Sequence, residues 1–202
     1  MNPTRNWTLV LAAFVIALAP MAMANEHAAP EKKAELKVGD AAPDFKLPHG
    51  DKEGAVKKLS EYKGKKNVVL AFYPKAFTGG CTKQLCGYRD DFSKFKTADT
   101  EVVAISVDEQ DYSDKFKLEH AFPFAVLGDI EASVVNMYGV GQARGNGAVM
   151  ASRSIFLVDK AGKLAYIDPE YKIGQDEEPL FAAVKKTNEA GSGTKAQGSA
   201  KK

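Results

Sequence analysis

Apolar residues along this chain fall into short runs whose period changes, and each change marks an element. Val68 to Tyr73 (V-V-L-A-F-Y) is apolar throughout, as expected of a strand covered on both faces of a sheet. Pro74 stops that strand, because a proline cannot donate to a central ladder. A loop through Gly79-Gly80 follows, and a helix opens at Cys81. Leu85, Tyr88, Phe92 and Phe95 follow Cys81 at offsets of four, seven, eleven and fourteen. That is an apolar stripe of helical period, and it predicts one helix running to about Ala98.

The flanking chain reads in the same way. Upstream, Gly39-Asp40 and Pro43 mark turns, Phe45 and Leu47 alternate as a short strand, and Val56 to Leu59 forms another. Ser60 to Gly64 is a helical turn ahead of the central strand, Asn67 to Tyr73. Downstream, Val102 to Val107 is a strand apolar on both faces, Asp111 to His120 a helix and Phe124 to Leu127 a short strand. Glu131 to Tyr138 is a further helix, and the glycine-rich Gly139 to Ala148 is a loop. Ile155 to Val158 and Leu164 to Ile167 flank Asp159-Lys160-Ala161-Gly162 as a hairpin. Glu177 to Glu189 closes the domain as a helix with Leu180, Phe181 and Val184 on its buried side. Strands alternating with helices and ending in a hairpin predict an α/β sheet covered on both faces.

Composition separates the ends from this body. Of 202 residues, 45% are hydrophobic and 27% charged, enough for one good core. Arg5, the apolar run Trp7 to Ala19 and the small-x-small site Ala22-Met23-Ala24 read as a secretory signal peptide spanning 1–24. The run is too short for a comfortable membrane span, so no stable membrane association is expected. This places the mature protein in the periplasm of a bacterium, or outside the cell. Residues 25–35 form a polar leader, and residues 36–190 the folded domain. Residues 191–202 are basic and low in complexity, with no apolar residue to fold on, so a disordered tail is expected. With Arg5 removed, the net charge falls from +2 to +1, which offers no case for nucleic acid.

The chain has two cysteines. The first lies in the first turn of a helix, just beyond the carboxyl end of a core strand, where free N–H groups and the helix dipole favour an anion. The thiolate is the attacking form of a cysteine. The second, Cys86, follows five residues later. In an intact helix, Cα atoms five apart are about 8–9 Å from one another, whereas a disulfide needs less than about 7 Å. A structural staple here would close so small a loop that it constrains little of the unfolded chain. Zinc or haem would need further ligands, and His49 and His120 are remote in sequence.

Pro74-x-x-x-Thr78-x-x-Cys81 resembles the active-site motif of the peroxiredoxins, and Cys81-Thr82-x-x-x-Cys86 resembles their Q-type branch, the bacterioferritin comigratory protein group. The likeness runs from about Leu36 to Glu189. One departure is Gly79-Gly80, where many relatives carry a proline before the glycine; this should loosen the loop without removing a catalytic group. The resemblance implies a thioredoxin-like fold: a central mixed sheet with helices on both faces and an N-terminal β extension. It implies that Cys81 attacks peroxide and Cys86 resolves the product, pairing with Cys81 once the helix start unwinds. Thr78 would reach the sulfur and the peroxide with one hydroxyl, and Pro74 would shield the thiolate. Arg153-Ser154-Ile155-Phe156-Leu157-Val158-Asp159 is similar to the family's R-S-x-F-x-x-D strand, which makes Arg153 the stabilising cation. Arg144 in the glycine loop is a rival cation, and Arg89 reads as a solvated partner of Asp90.

The implied activity is a thiol-dependent peroxidase acting on hydrogen peroxide and organic hydroperoxides. It would use a thioredoxin-like dithiol reductant and no cofactor or metal, as a monomer or weak dimer. Three other readings compete, one of them a redox-sensing or structural relic. A thioredoxin-like thiol–disulfide oxidoreductase would carry C-x-x-C, and a copper-binding thioredoxin-fold protein would carry two cysteines three apart with a histidine beyond His120.

Overall fold

The predicted central strand is the middle of the sheet. In the computed structural model, which describes residues 35–50, 54–145 and 147–196 (side chains to residue 191), strand β3 spans Asn67–Phe72 and every residue of it is buried. Its side chains alternate, as strand geometry requires. Val69 and Ala71, with Tyr73 just beyond, enter one apolar cluster, while Val68, Leu70 and Phe72 enter the other.

Strands β1 (Lys46–Pro48) and β2 (Val56–Lys58) pair antiparallel, forming the expected N-terminal β extension. Further along lie β4 (Thr100–Ser106), β5 (Ala125–Gly128), β6 (Gly141–Ala143), β7 (Val149–Ala151), β8 (Ser154–Val158) and β9 (Leu164–Asp168). The main sheet has the order β5-β4-β3-β8-β9. Strands β4 and β5 are parallel to the centre, and β8 and β9 are antiparallel, so the sheet is mixed.

Helix α1 spans Gly79–Asp90, α2 Phe92–Thr97, α3 Gln110–Glu119, α4 Ser133–Met137 and α5 Glu177–Ala196. Residues of α1, α2, α3 and α5 pack with Val69, Ala71 and Tyr73 on one face. On the other face, Val134 and Val135 of α4 join Phe45 and Leu47 of the N-terminal extension.

Three expectations need correction. The cysteine helix is not continuous to Ala98. It breaks at Asp91, whose φ of −94° and ψ of 15° leave the helical region. Aspartate is among the weaker helix formers, and here its carboxylate pairs with Lys94 at 3.0 Å. The stripe survives the break because Leu85, Tyr88 and Phe95 remain fully buried and Phe92 packs against them. The glycine-rich stretch is not simply a loop, since it holds β6, which pairs antiparallel with β7 just beyond its end. Each strand is only three residues long, too short for a period to show. The closing helix continues past Glu189 to Ala196, into the expected disordered tail. Adding a residue to a formed helix gains a backbone hydrogen bond without a new nucleus, so no apolar partner is required. The rest of that tail, the signal peptide and nearly all of the polar leader lie outside the described residues.

Candidate active site

The site is built where β3 ends. The Tyr73 N–H still donates to the Ile105 carbonyl at 3.0 Å, so the chain leaves the sheet at Pro74. It crosses Lys75 to Thr78 and enters α1 with Thr78 as the N-cap residue. Phe77 takes a φ of 58°, the left-handed region that costs an ordinary residue roughly 1–2 kcal/mol. Its ring is held there by Tyr112 and Phe116 of α3, at centroid distances of 4.9 and 4.8 Å.

Gly79 and Gly80 are not in the loop, as the motif alone suggests, but form the first turn of α1. A Cβ at Gly80 would stand 3.2 Å from Arg153 Nη2, so a side chain there would crowd the guanidinium. Cys81 follows in the same turn and is only 1% exposed. Its sulfur therefore sits out of bulk water at the positive end of a helix.

The charge that faces it comes from a distant part of the chain. In the β3–β8 register Phe72 pairs with Ser154, which carries Arg153 to the end of the strand that presents the cysteine. Arg153 Nη2 donates to Cys81 Sγ at 3.5 Å, and Nη1 donates to Gln84 Oε1. Gln84 in turn donates from Nε2 to the Tyr88 hydroxyl at 3.2 Å. Burial, the largest influence, pushes the Tyr88 hydroxyl far above its ordinary range, so it stays neutral. A neutral amide and a neutral phenol thus orient the guanidinium without competing for its charge.

Sequence reasoning missed Gln84. The signal was available: it lies three residues beyond Cys81 and so on the same side of a helix. It is polar and 2% exposed on a face otherwise read as apolar.

Thr78 donates its hydroxyl proton to the Lys75 carbonyl at 2.9 Å, which leaves the oxygen lone pairs able to accept. Pro74 and Arg153 line a cleft of about 410 Å3 shared with Gln142, Arg144 and Glu170. Arg144 is exposed on the rim, with Nη2 at 3.3 Å from Met150 Sδ. Arg89 makes a 2.8 Å ion pair with Asp90 and donates to the His120 carbonyl at 2.9 Å, tying α1 to the end of α3.

Cys86 is half-buried, and both cysteines are free. The helix is intact between them, so the pair is not brought within bonding reach in this state. Among the described residues, no group of three or more His, Cys, Asp or Glu is placed to hold a metal ion.

Chemically, this is a buried thiol with a fixed cation beside it and an open cleft next to that cation. Such a site can stabilise the negative charge that develops as a sulfur attacks an electrophile. Known proteins resemble this chain in sequence and fold. Residues 38–167 match the AhpC/TSA family. Peroxiredoxin Bcp of Bacillus subtilis is 39% identical over 132 residues, covering 64% of this chain and 82% of its own. Peroxiredoxin Bcp of Escherichia coli is 36% identical over 140 residues, covering 68% and 88%. The crystal structure of peroxidoxin BcpB from Mycobacterium tuberculosis superposes with a TM-score of 0.68 at 30% identity, over 75% of this chain and 97% of its own. These relatives do not favour the protein-disulfide or copper readings. The chain belongs to the AhpC/TSA family, the peroxiredoxins, and within it to the thiol-dependent peroxidases of the Bcp and peroxiredoxin Q kind.

Proposed function

We propose that this peroxiredoxin reduces hydrogen peroxide and organic hydroperoxides through Cys81, with Cys86 as its resolving partner. The observation that carries the reading is the Arg153 guanidinium 3.5 Å from the sulfur of a buried cysteine in the first turn of α1. The Cys81 thiolate attacks the nearer peroxide oxygen, an S–O bond forms and the O–O bond breaks. The leaving oxygen takes a proton and departs as water or an alcohol, and Cys81 becomes a sulfenic acid. Arg153 stabilises the charge before and during transfer, Thr78 accepts a hydrogen bond from the peroxide, and Pro74 keeps water from the sulfur. The first turns of α1 then unwind, Cys86 attacks the Cys81 sulfur and water is lost. A thioredoxin-like dithiol reductant takes up the disulfide and returns both thiols. The cycle calls for no cofactor.

The chain carries out this work in the periplasm after cleavage behind Ala24, as a monomer or weak dimer. The leader Arg5 to Ala24 supports that reading. The deciding experiment is stopped-flow oxidation of the reduced protein by hydrogen peroxide, beside Cys81→Ser and Cys86→Ser. Thiol loss that is fast and requires Cys81, with sulfenic acid trapped in Cys86→Ser, is the expected result. Loss no faster than that of a free thiol would remove the peroxidase assignment.

A further inference from the structure

Asp108 is a buried carboxylate to which the peroxide chemistry assigns no duty. It lies just past β4, and its side chain is 3% exposed. Three donors converge on it: the Ala76 N–H at 2.8 Å, the Ser106 hydroxyl at 2.8 Å and Lys75 Nζ at 3.2 Å. Two of the three belong to the loop that carries the chain from β3 to the cysteine helix. The carboxylate cannot drift from that place. Gly128 packs so closely on its backbone that a Cβ there would overlap the Asp108 carbonyl, and Gly128 N–H is itself held by Gln110 at 2.8 Å.

Ala76 is a sensitive place for such a tie, because its neighbour Phe77 is in the left-handed region and the helix starts two residues later. A strained residue persists only where its surroundings over-determine it. Here they do so on both sides. Asp108 holds the backbone before it, and Tyr112 and Phe116, on the helix that begins just after Asp108, hold its ring. One short segment, from Asp108 to Phe116, therefore grips the loop at two points.

We infer that Asp108 is a positioning residue that sets the balance between the wound and unwound forms of the first turns of α1, and so the division of the cycle between its peroxide step and its disulfide step. The inference rests on the Cys81–Cys86 cycle proposed above. Wound, the helix presents Cys81 to Arg153; unwound, it lets Cys81 approach Cys86. A tie at Ala76 that exists only with the loop in place favours the first form. Its loss slows attack on peroxide without slowing disulfide formation.

The tie is read without peroxide by hydrogen exchange on the reduced protein. Asp108→Ala lowers the protection of the Cys81 to Leu85 amides, and Asp108→Asn, which keeps an acceptor for the Ala76 N–H, lowers it less. With Cys86→Ser added so that sulfenic acid accumulates, oxidation of Cys81 by hydrogen peroxide falls about tenfold in Asp108→Ala and by a smaller factor in Asp108→Asn. With Cys86 present, the disulfide step is at least as fast as in the parent. Wild-type exchange and wild-type peroxide rate in both variants overturn the inference, as does an equal slowing of the two steps. If Asp108→Ala does not fold, Asp108→Asn decides: a peroxide rate equal to the parent's sinks it. A parent protein that consumes no peroxide sinks the peroxidase assignment instead, a failure separate from that of the exchange result.

Discussion

Arg153 is held from two directions, with one nitrogen on Cys81 Sγ and the other on Gln84 Oε1. A lysine has no planar fork and cannot make both contacts at once. Arg153→Lys should therefore slow Cys81 oxidation by roughly ten- to a hundredfold, the loss expected for a charge-assisted hydrogen bond. Rapid-quench mass spectrometry of the Cys81 sulfenic acid in the Cys86→Ser protein measures it. Gln84→Leu keeps the charge and loses its orientation, so its effect should be smaller, about fivefold to tenfold. The two changes should be less than additive, since both act through one guanidinium; strict additivity would refute a shared role. Gly80→Ala tests the same contact by volume, because its Cβ would press on Arg153 Nη2 at 3.2 Å.

At the scale of the element, α1 serves two demands that conflict. An intact helix holds Cys81 at its positive end beside Arg153, yet it keeps Cys86 beyond disulfide reach. The proposed cycle thus requires the first turns to melt while the buried stripe keeps the rest docked. Leu85, 0% exposed, packs in that stripe one turn beyond Cys81. Leu85→Ala should cost about 2–5 kcal/mol of stability, read from denaturant unfolding of the reduced protein. Oxidation to the disulfide should lower helicity and strip exchange protection from Cys81 and its neighbours. Identical protection in the two redox states would mean that the helix does not unwind. The break at Asp91 suits this division, because α2 can stay anchored through Phe95 while α1 loosens.

Across the whole molecule, the sheet has two apolar faces and the active site draws on one. The second face is closed by α4 and the N-terminal extension, and the Tyr138 hydroxyl joins them by donating to the Pro43 carbonyl at 2.7 Å. Burial, the foremost influence, pushes that hydroxyl well above its ordinary range, so it remains a donor at any working pH. Tyr138→Phe should lower stability by about 1 kcal/mol and leave the rate of Cys81 oxidation unchanged. A loss of rate would show that the two faces are coupled. The proposed export makes a further prediction at this scale: protein recovered from the periplasm should begin at Asn25 by intact mass. Full-length protein confined to the cytoplasm would count against the leader assignment.

Much of this was legible in the chain itself. The all-apolar run Val68 to Tyr73, the stripe from Cys81 to Phe95 and the hairpin around Asp159 each appear as local patterns, because strand and helix periods are written into consecutive residues. The cysteine motif lies within a dozen or so residues, so it too could be read directly. Local pattern could not give the end of α1 at Asp91, or the hairpin of two three-residue strands, β6 and β7. It could not show how far apart in sequence the site's partners lie. Resemblance nominated Arg153, but only the antiparallel β3–β8 register delivers its guanidinium to a sulfur 72 residues away. The parallel β3–β4 pairing likewise brings Asp108 to Ala76, 32 residues off. Sequence alone determined most of the elements and nominated the nucleophile, since both depend on near neighbours. The tertiary structure decided which cation faces that cysteine and which carboxylate holds the loop before it, since strand register brings together residues that no local period relates.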